Sequence, residues 1–86
     1  MASSSGKTLS FEEFRKLLAE VLLIEEEKLR PEASFANDLY VDSLRWADMA
    51  LRIEEIGAQI PTEAFWDIQT VEDAYRAYLG YVSPSS

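Results

Sequence analysis

The stretch DLYVDSLRW, residues 38–46, marks the point where a loop changes into an amphipathic helix. Asp42 and Ser43 are residue types that favour a helix N-terminus, where backbone N–H groups have no partner within the helix. From Trp46 onward, apolar residues recur at steps of three and four, which is helical spacing. The stretch therefore predicts the beginning of a helix with a serine hydroxyl in its first turn. That serine is either a plain N-cap or a site for a phosphate ester, which a helix N-terminus also favours.

Downstream of this stretch, the spacing predicts a helix from about Ser43 to Gly57, because glycine suits the left-handed conformation that follows many helices. Its predicted core residues are Trp46, Met49, Ala50, Ile53 and Ile56. Leu44 and Leu51 lie off that stripe, on a second face flanked by carboxylates. Such a face is typical of a partner-binding surface, unless the preceding loop packs over the two leucines.

Two capping boxes predict where the first and last helices begin. Ser10 and Glu13 precede an apolar stripe that predicts a helix over residues 11–23. Thr70 and Asp73 form the same pattern at the start of the last helix, which we expect to run to Gly80. The first and last helices therefore have well-defined predicted starts.

The segments between these helices complete the predicted fold. Pro31 interrupts a long connection over residues 24–41, whose apolar residues should pin it to the core: Ile24, Leu29, Phe35 and Leu39. Residues 61–68 predict one or two helical turns, with Thr62 as a possible N-cap. The sequence thus predicts an all-α fold, a small four-helix bundle with three long helices, one short third helix and a long loop between helices 1 and 2.

Length and composition predict one domain over residues 10–80, between a flexible leader, residues 1–9, and a flexible tail, residues 81–86. The chain has no cysteine and no histidine, which excludes disulfides, thiol nucleophiles and serine–histidine hydrolases. No spacing matches a calcium loop, so no metal site is predicted. A net charge of −8 argues against nucleic acid as a partner. Without a membrane-spanning run or signal peptide, a cytoplasmic monomer is expected.

In the order of its landmarks, the sequence resembles the acyl and peptidyl carrier proteins from about Ser10 to Leu79. The residues that carry the resemblance are Ser34-Phe35 with Asp38-Leu39, Asp42-Ser43-Leu44, Ile60-Pro61, and Thr70-Val71 with Asp73. Ile60-Pro61 is similar to the dipeptide that introduces the family's short third helix. The resemblance implies the family's helical fold and a carrier role.

The resemblance implies that Ser43 receives a 4′-phosphopantetheine arm from coenzyme A. A separate, magnesium-dependent phosphopantetheinyl transferase would make this transfer. Asp42 would help to position Ser43 for the transferase. The arm would hold acyl or aminoacyl groups as thioesters, so the protein would be a carrier and not an enzyme. Its other partners would be an acyl- or aminoacyl-loading enzyme and downstream synthase or tailoring enzymes. The candidate docking residues are Leu44, Arg45, Ala47, Asp48, Leu51, Arg52, Glu54 and Glu55.

Two departures from the family pattern bear on the loop before Ser43 and on the pathway, respectively. Tyr40-Val41 stand where carriers of fatty acid synthesis often have Gly-Ala. The second helix also carries Arg45 and Arg52 among its carboxylates, which should weaken electrostatic steering. The weakly acidic second helix, together with Arg45 and Trp46 next to Ser43, favours polyketide or nonribosomal peptide biosynthesis, the routes to secondary metabolites such as antibiotics. The alternatives are a carrier of fatty acid synthesis and a carrier-like interaction module that is never modified.

Three aromatic residues bear on how cargo is held. Trp46, Phe65 and Trp66 are expected near the space between the second and third helices, where fatty acyl carriers hold a chain. If these rings fill that space, a long alkyl chain should stay exposed. The alternative is that all three are ordinary core residues.

Overall fold

A computed structural model describes residues 8–82. Over these residues the chain forms four α-helices: α1, Phe11–Leu22; α2, Ser43–Glu55; α3, Thr62–Phe65; and α4, Val71–Tyr81. A short 3₁₀ helix, Glu26–Lys28, lies in the first connection. The described residues contain no β-strand, only two isolated bridges. The predicted all-α bundle with three long helices and a short third one is confirmed.

Both predicted capping boxes are confirmed. The Ser10 hydroxyl accepts a hydrogen bond from the Glu13 N–H at 3.1 Å, and the Glu13 carboxylate accepts one from the Ser10 N–H at 2.9 Å. Thr70 and Asp73 make the reciprocal pair at the start of α4, with distances of 3.1 and 3.2 Å. Each box gives two backbone donors a partner that the helix itself does not offer.

The helix ends agree with the predictions to within one or two residues. α1 ends at Leu22, and Leu23 adopts the left-handed conformation with φ of 58°. After α2, Gly57 has φ of +107°, as expected of a glycine that follows a helix. α4 continues to Tyr81, one residue beyond the predicted end. The predicted leader and tail fall mostly outside the described residues, so that division of the chain stays a prediction.

The start of α3 corrects one prediction. Thr62 is not an N-cap: Pro61 occupies that position, and Thr62 is the first helical residue. The backbone of Pro61 is extended, with φ of −65° and ψ of 152°, which suits the residue before a helix. No side chain caps this four-residue helix. Consequently α3 has less local support than the other helices.

The core is formed by one face of each long helix together with apolar residues of the first connection. Phe14, Met49 and Val71 represent the three long helices, and all are fully buried. In the connection, Leu29 is fully buried and Phe35 almost so. The other two predicted anchors, Ile24 and Leu39, are partly buried against this core. The prediction that apolar anchors pin the long loop is confirmed.

Aromatic contacts join α1 to α4. The rings of Phe14 and Tyr78 stack with centroids 5.2 Å apart, and Phe14 also contacts Tyr75 at 5.3 Å. The hydroxyl of Tyr78 accepts a hydrogen bond from the Leu9 N–H, while the Tyr75 hydroxyl donates one to the Leu9 carbonyl, both at 2.8 Å. Two tyrosines of the last helix therefore hold the backbone that leads into the first one.

The first connection is also tied to the start of α4. The Val71 N–H donates to the Ala33 carbonyl at 3.1 Å, and the Glu72 N–H donates to the Pro31 carbonyl at 2.9 Å. The Phe35 N–H donates to a carbonyl in the segment before α4. Loop carbonyls thus satisfy backbone donors that α4 leaves without helical partners. This pairing fixes the course of the loop as it approaches α2.

Candidate functional site

The site is built around Ser43, the first residue of α2. Asp42 is the N-cap, and its carboxylate accepts a hydrogen bond from the Arg45 N–H at 2.8 Å. Ser43 is exposed, and within residues 8–82 its hydroxyl makes no hydrogen bond to another residue. The alternative that Ser43 serves as the plain N-cap is therefore wrong, because Asp42 fulfils that role.

The backbone at the start of α2 favours a negatively charged substituent on Ser43. The first N–H groups of α2 have no partners within the helix, and the helix dipole places partial positive charge at this end. A phosphate ester on the Ser43 hydroxyl would lie in this field. The exposed hydroxyl, which no helix cap requires, thus fits the attachment of a phosphodiester. Among residues 8–82 there is no cluster of three or more ligand-type side chains that suits a metal ion.

A tight turn at Ser34 leads into the site. The Ser34 N–H donates to the Asp38 carboxylate at 2.8 Å, and the Asn37 N–H donates to the Ser34 hydroxyl at 3.1 Å. The Leu39 N–H returns to the Ser34 carbonyl at 2.9 Å. The Asp38-Leu39 landmark of the sequence therefore closes a turn that sets the path of the chain toward α2.

Tyr40 has an unusual backbone conformation for its residue type. Its φ of 53° lies in the left-handed region, and its side chain is 81% exposed. Next to it, the Val41 N–H donates to the Phe35 carbonyl at 2.8 Å. Glycine adopts left-handed φ values at lower cost than any residue with a Cβ atom. Tyr40 thus holds a conformation that glycine would favour, just before the N-cap Asp42.

The candidate docking residues all have solvent access. Leu44 is 68% exposed and Leu51 is 59% exposed, so the alternative that the loop packs over them is wrong. The other six are exposed or partly buried: Arg45, Ala47, Asp48, Arg52, Glu54 and Glu55. Arg52 forms an ion pair with Glu55 at 3.4 Å. The result is an accessible strip with two leucines and charges of both signs. Its docking role stays a prediction.

A groove of about 870 Å³ adjoins Ser43. Trp46 and Phe65 line it and are partly buried, while Trp66 lines it with 78% of its surface exposed. Trp46 packs edge-on against Phe35 at 5.3 Å and against Phe65 at 5.9 Å. The alternative that all three rings are ordinary core is wrong for Trp66. The rings line this groove and leave space within it. That the groove handles cargo stays a prediction.

Several groove residues are not evident from the sequence. Val41 and Ile68 line the groove from outside the helices, and Ala50 lines it although its spacing predicts a core position in α2. Ala50 lies one turn after Trp46, and its small side chain leaves room beside the indole ring. Small size at a helical position near large rings is the signal in the sequence that could identify Ala50. The other two positions depend on how distant segments meet.

Comparison with known proteins identifies relatives over most of the chain. Residues 12–77, from α1 to α4, match the family described as "PP-binding: Phosphopantetheine attachment site". An acyl carrier protein of Thermosynechococcus vestitus is 40% identical over 63 residues, which cover 72% of this chain and 78% of that protein. An acyl carrier protein of Coprothermobacter proteolyticus is 36% identical over 64 residues, covering 73% and 78% respectively.

Proposed function

The chain belongs to the acyl carrier protein family, and on that premise we propose that Ser43 is the residue that bears the family's 4′-phosphopantetheine arm. The protein is a non-catalytic carrier, and the covalently bound arm supplies the thiol on which acyl groups are held. One observation supports the choice of Ser43 above all. Asp42 caps α2, so the next residue presents an exposed hydroxyl that the helix does not need.

The proposed modification is a transfer from coenzyme A. The Ser43 oxygen bonds to the phosphorus nearer the pantetheine, the P–O bond of the pyrophosphate linkage breaks, and adenosine 3′,5′-bisphosphate leaves. The hydroxyl proton passes to a base supplied by the transferase. Asp42 holds the first turn in shape by accepting the Arg45 N–H. The dipole of α2 stabilises the negative charge of the phosphodiester.

Partner enzymes, including a phosphopantetheinyl transferase and acyl-handling enzymes, would bind the exposed face of α2. Leu44 lies beside Ser43, and Leu51 extends the same apolar strip two turns along the helix. Exposed leucines flanked by charges supply the apolar centre and polar rim that protein interfaces share. Arg52 is already paired with Glu55, which reduces the charge it offers a partner.

The mixed charges of this face support a specialised route, in which acyl or aminoacyl intermediates of polyketide or nonribosomal peptide biosynthesis are passed between enzymes in the cytoplasm. Fatty acid synthesis is the second candidate, because both relatives are named simply as acyl carrier proteins. The rate of acyl transfer from this protein to a bacterial fatty acid ketosynthase separates the two. A rate matching that of a fatty acid carrier would contradict the specialised route.

Intact-mass measurement tests the modification directly. Incubation with coenzyme A and a broad-specificity phosphopantetheinyl transferase should add one phosphopantetheinyl group, and Ser43→Ala should abolish the addition. Thr62→Ala is the matched control, because Thr62 is also an exposed hydroxyl residue at the first position of a helix. Its mass should still increase. No addition with several transferases would favour the unmodified interaction module.

A further inference from the structure

We propose that the groove beside Ser43 is selective for an uncharged aromatic acyl group carried on the arm, in preference to a linear alkyl chain. This inference rests on the proposed function, because the cargo reaches the groove only through Ser43. Ser43 itself lines the groove, as does the N-cap Asp42. The attachment residue therefore borders the candidate cargo site.

The aromatic lining of the groove includes an exposed ring, unlike the buried rings of Phe14 and Tyr78 between α1 and α4. Phe35, Trp46 and Phe65 form a row in which neighbouring rings meet edge to face, at interplanar angles of 79° and 75°. Trp66 extends the lining and is 78% exposed. By contrast, Phe14 has aromatic contacts in α4 and is fully buried. The groove therefore offers aromatic surface that still has room for a partner.

The shape of the groove distinguishes a rigid ring from a flexible chain. It lies at the surface between α2, α3 and the first connection, while Met49 and Ile53 on the core side of α2 are fully buried. An alkyl chain on such a surface loses rotational freedom at each bond and is covered on one side only. A planar ring loses little such freedom and gains edge-to-face or stacked contacts beyond simple burial.

The charges around the groove further restrict the kind of acyl group that it can bind. Its polar lining residues are Ser34, Asn37, Asp42, Ser43, Thr62 and Gln69, and none of the residues that line it is basic. An acyl group with a free carboxylate would find no cation here and would meet Asp42 at the mouth. Uncharged aromatic cargo avoids this cost. The uncharged polar side chains of the groove can still form hydrogen bonds with the arm.

A matched pair of cargoes tests the proposal on the intact protein. Phenylacetyl and octanoyl groups have equal numbers of carbon atoms, and each is loaded on Ser43 from its coenzyme A thioester by the transferase. Intact mass first confirms loading. Hydroxylamine cleavage of each loaded protein is then compared with cleavage of the same thioester of free pantetheine. The phenylacetyl form should be protected about two- to tenfold more than the octanoyl form, as expected of one aromatic contact.

The variant Trp66→Ala should remove most of this difference, and nuclear Overhauser contacts should connect the phenyl ring to an indole in the unaltered protein. Tyr40→Ala is the control, because Tyr40 is 81% exposed and does not line the groove. Equal protection of both cargoes, better protection of octanoyl, or an equal loss in both variants would overturn the inference. Failure to load either cargo would instead refute the proposed attachment at Ser43.

Discussion

The two sides of this small bundle use aromatic residues in opposite ways. Between α1 and α4, Phe14 and Tyr78 stack and are shielded from water, and a tyrosine hydroxyl holds the chain at Leu9. Between α2 and α3, Trp46 packs edge-on in an open groove, and Trp66 lies mostly in solvent. The first side stabilises the fold, whereas the second keeps apolar surface accessible.

This difference indicates how a carrier of 86 residues divides its limited apolar surface. A chain of this length buries only a modest core, so exposed rings are a loss of stability that the α1–α4 side must offset. α3 has four residues and no side-chain cap, which makes its formation dependent on contacts with neighbouring segments. We therefore expect the α2–α3 side to tolerate substitution better than the α1–α4 side.

The largest expected contrast is between Phe14→Ala and Trp66→Ala. Phe14 is fully buried, so its removal should lower the free energy of unfolding by about 3–5 kcal/mol through lost burial and a residual cavity. Trp66 is 78% exposed, and its truncation should change that free energy by less than about 0.5 kcal/mol. Urea denaturation followed by circular dichroism measures both. Similar losses in the two variants would remove the distinction between the sides.

A smaller effect is expected from Tyr78→Phe, which removes one hydroxyl from the α1–α4 side. The Leu9 N–H would lose its acceptor at 2.8 Å, which should lower the free energy of unfolding by about 1–2 kcal/mol. Tyr81→Phe is the control, because Tyr81 is 43% exposed and, unlike that of Tyr78, its hydroxyl makes no hydrogen bond to another of the residues 8–82. Denaturation curves should separate the two variants. If they coincide, the tyrosine contact with Leu9 contributes nothing measurable.

On the α2–α3 side, Asp42→Ala should cost about 1 kcal/mol, because the Arg45 N–H loses its capping acceptor. Asparagine keeps an acceptor oxygen at this position, so the Asp42→Asn variant should retain most of the stability. Hydrogen exchange at the Arg45 amide reports the cap locally and should accelerate in the alanine variant. Unchanged exchange there would show that Asp42 does not define the start of α2.

The parts of the fold that were predictable from sequence are those set by local interactions. Ser10 with Glu13, and Thr70 with Asp73, satisfy each other's backbone groups within three residues, so the sequence pattern already contains the geometry. Thr62 fits the same preference but is displaced by Pro61, whose extended backbone takes the cap position. A residue preference alone does not decide between two adjacent candidates.

The groove was less predictable, because its walls come from segments far apart in the chain. Phe35 contacts Trp46 from the first connection, which is itself paired with the segment before α4. Trp66 follows the last residue of the short helix α3 and is mostly exposed. Its spacing from other apolar residues does not reveal this, because aromatic residues at helical spacing are usually core residues. The position of Ser43 was predictable because a helix N-terminus is a local feature.

The smallest expected effect concerns Tyr40, whose side chain contributes little burial and whose backbone is strained. Its left-handed φ of 53° costs more with a Cβ atom than without one, so Tyr40→Gly should relieve the strain. The greater freedom of glycine in the unfolded chain offsets part of that gain. A net increase of about 0.5 kcal/mol in the free energy of unfolding is expected. Tyr40→Ala separates the two causes, because alanine keeps the Cβ atom and loses only a side chain that is 81% exposed. If alanine stabilises as much as glycine, exposed aromatic surface is the source of the cost; if glycine alone does so, the source is the left-handed backbone beside the Ser43 site.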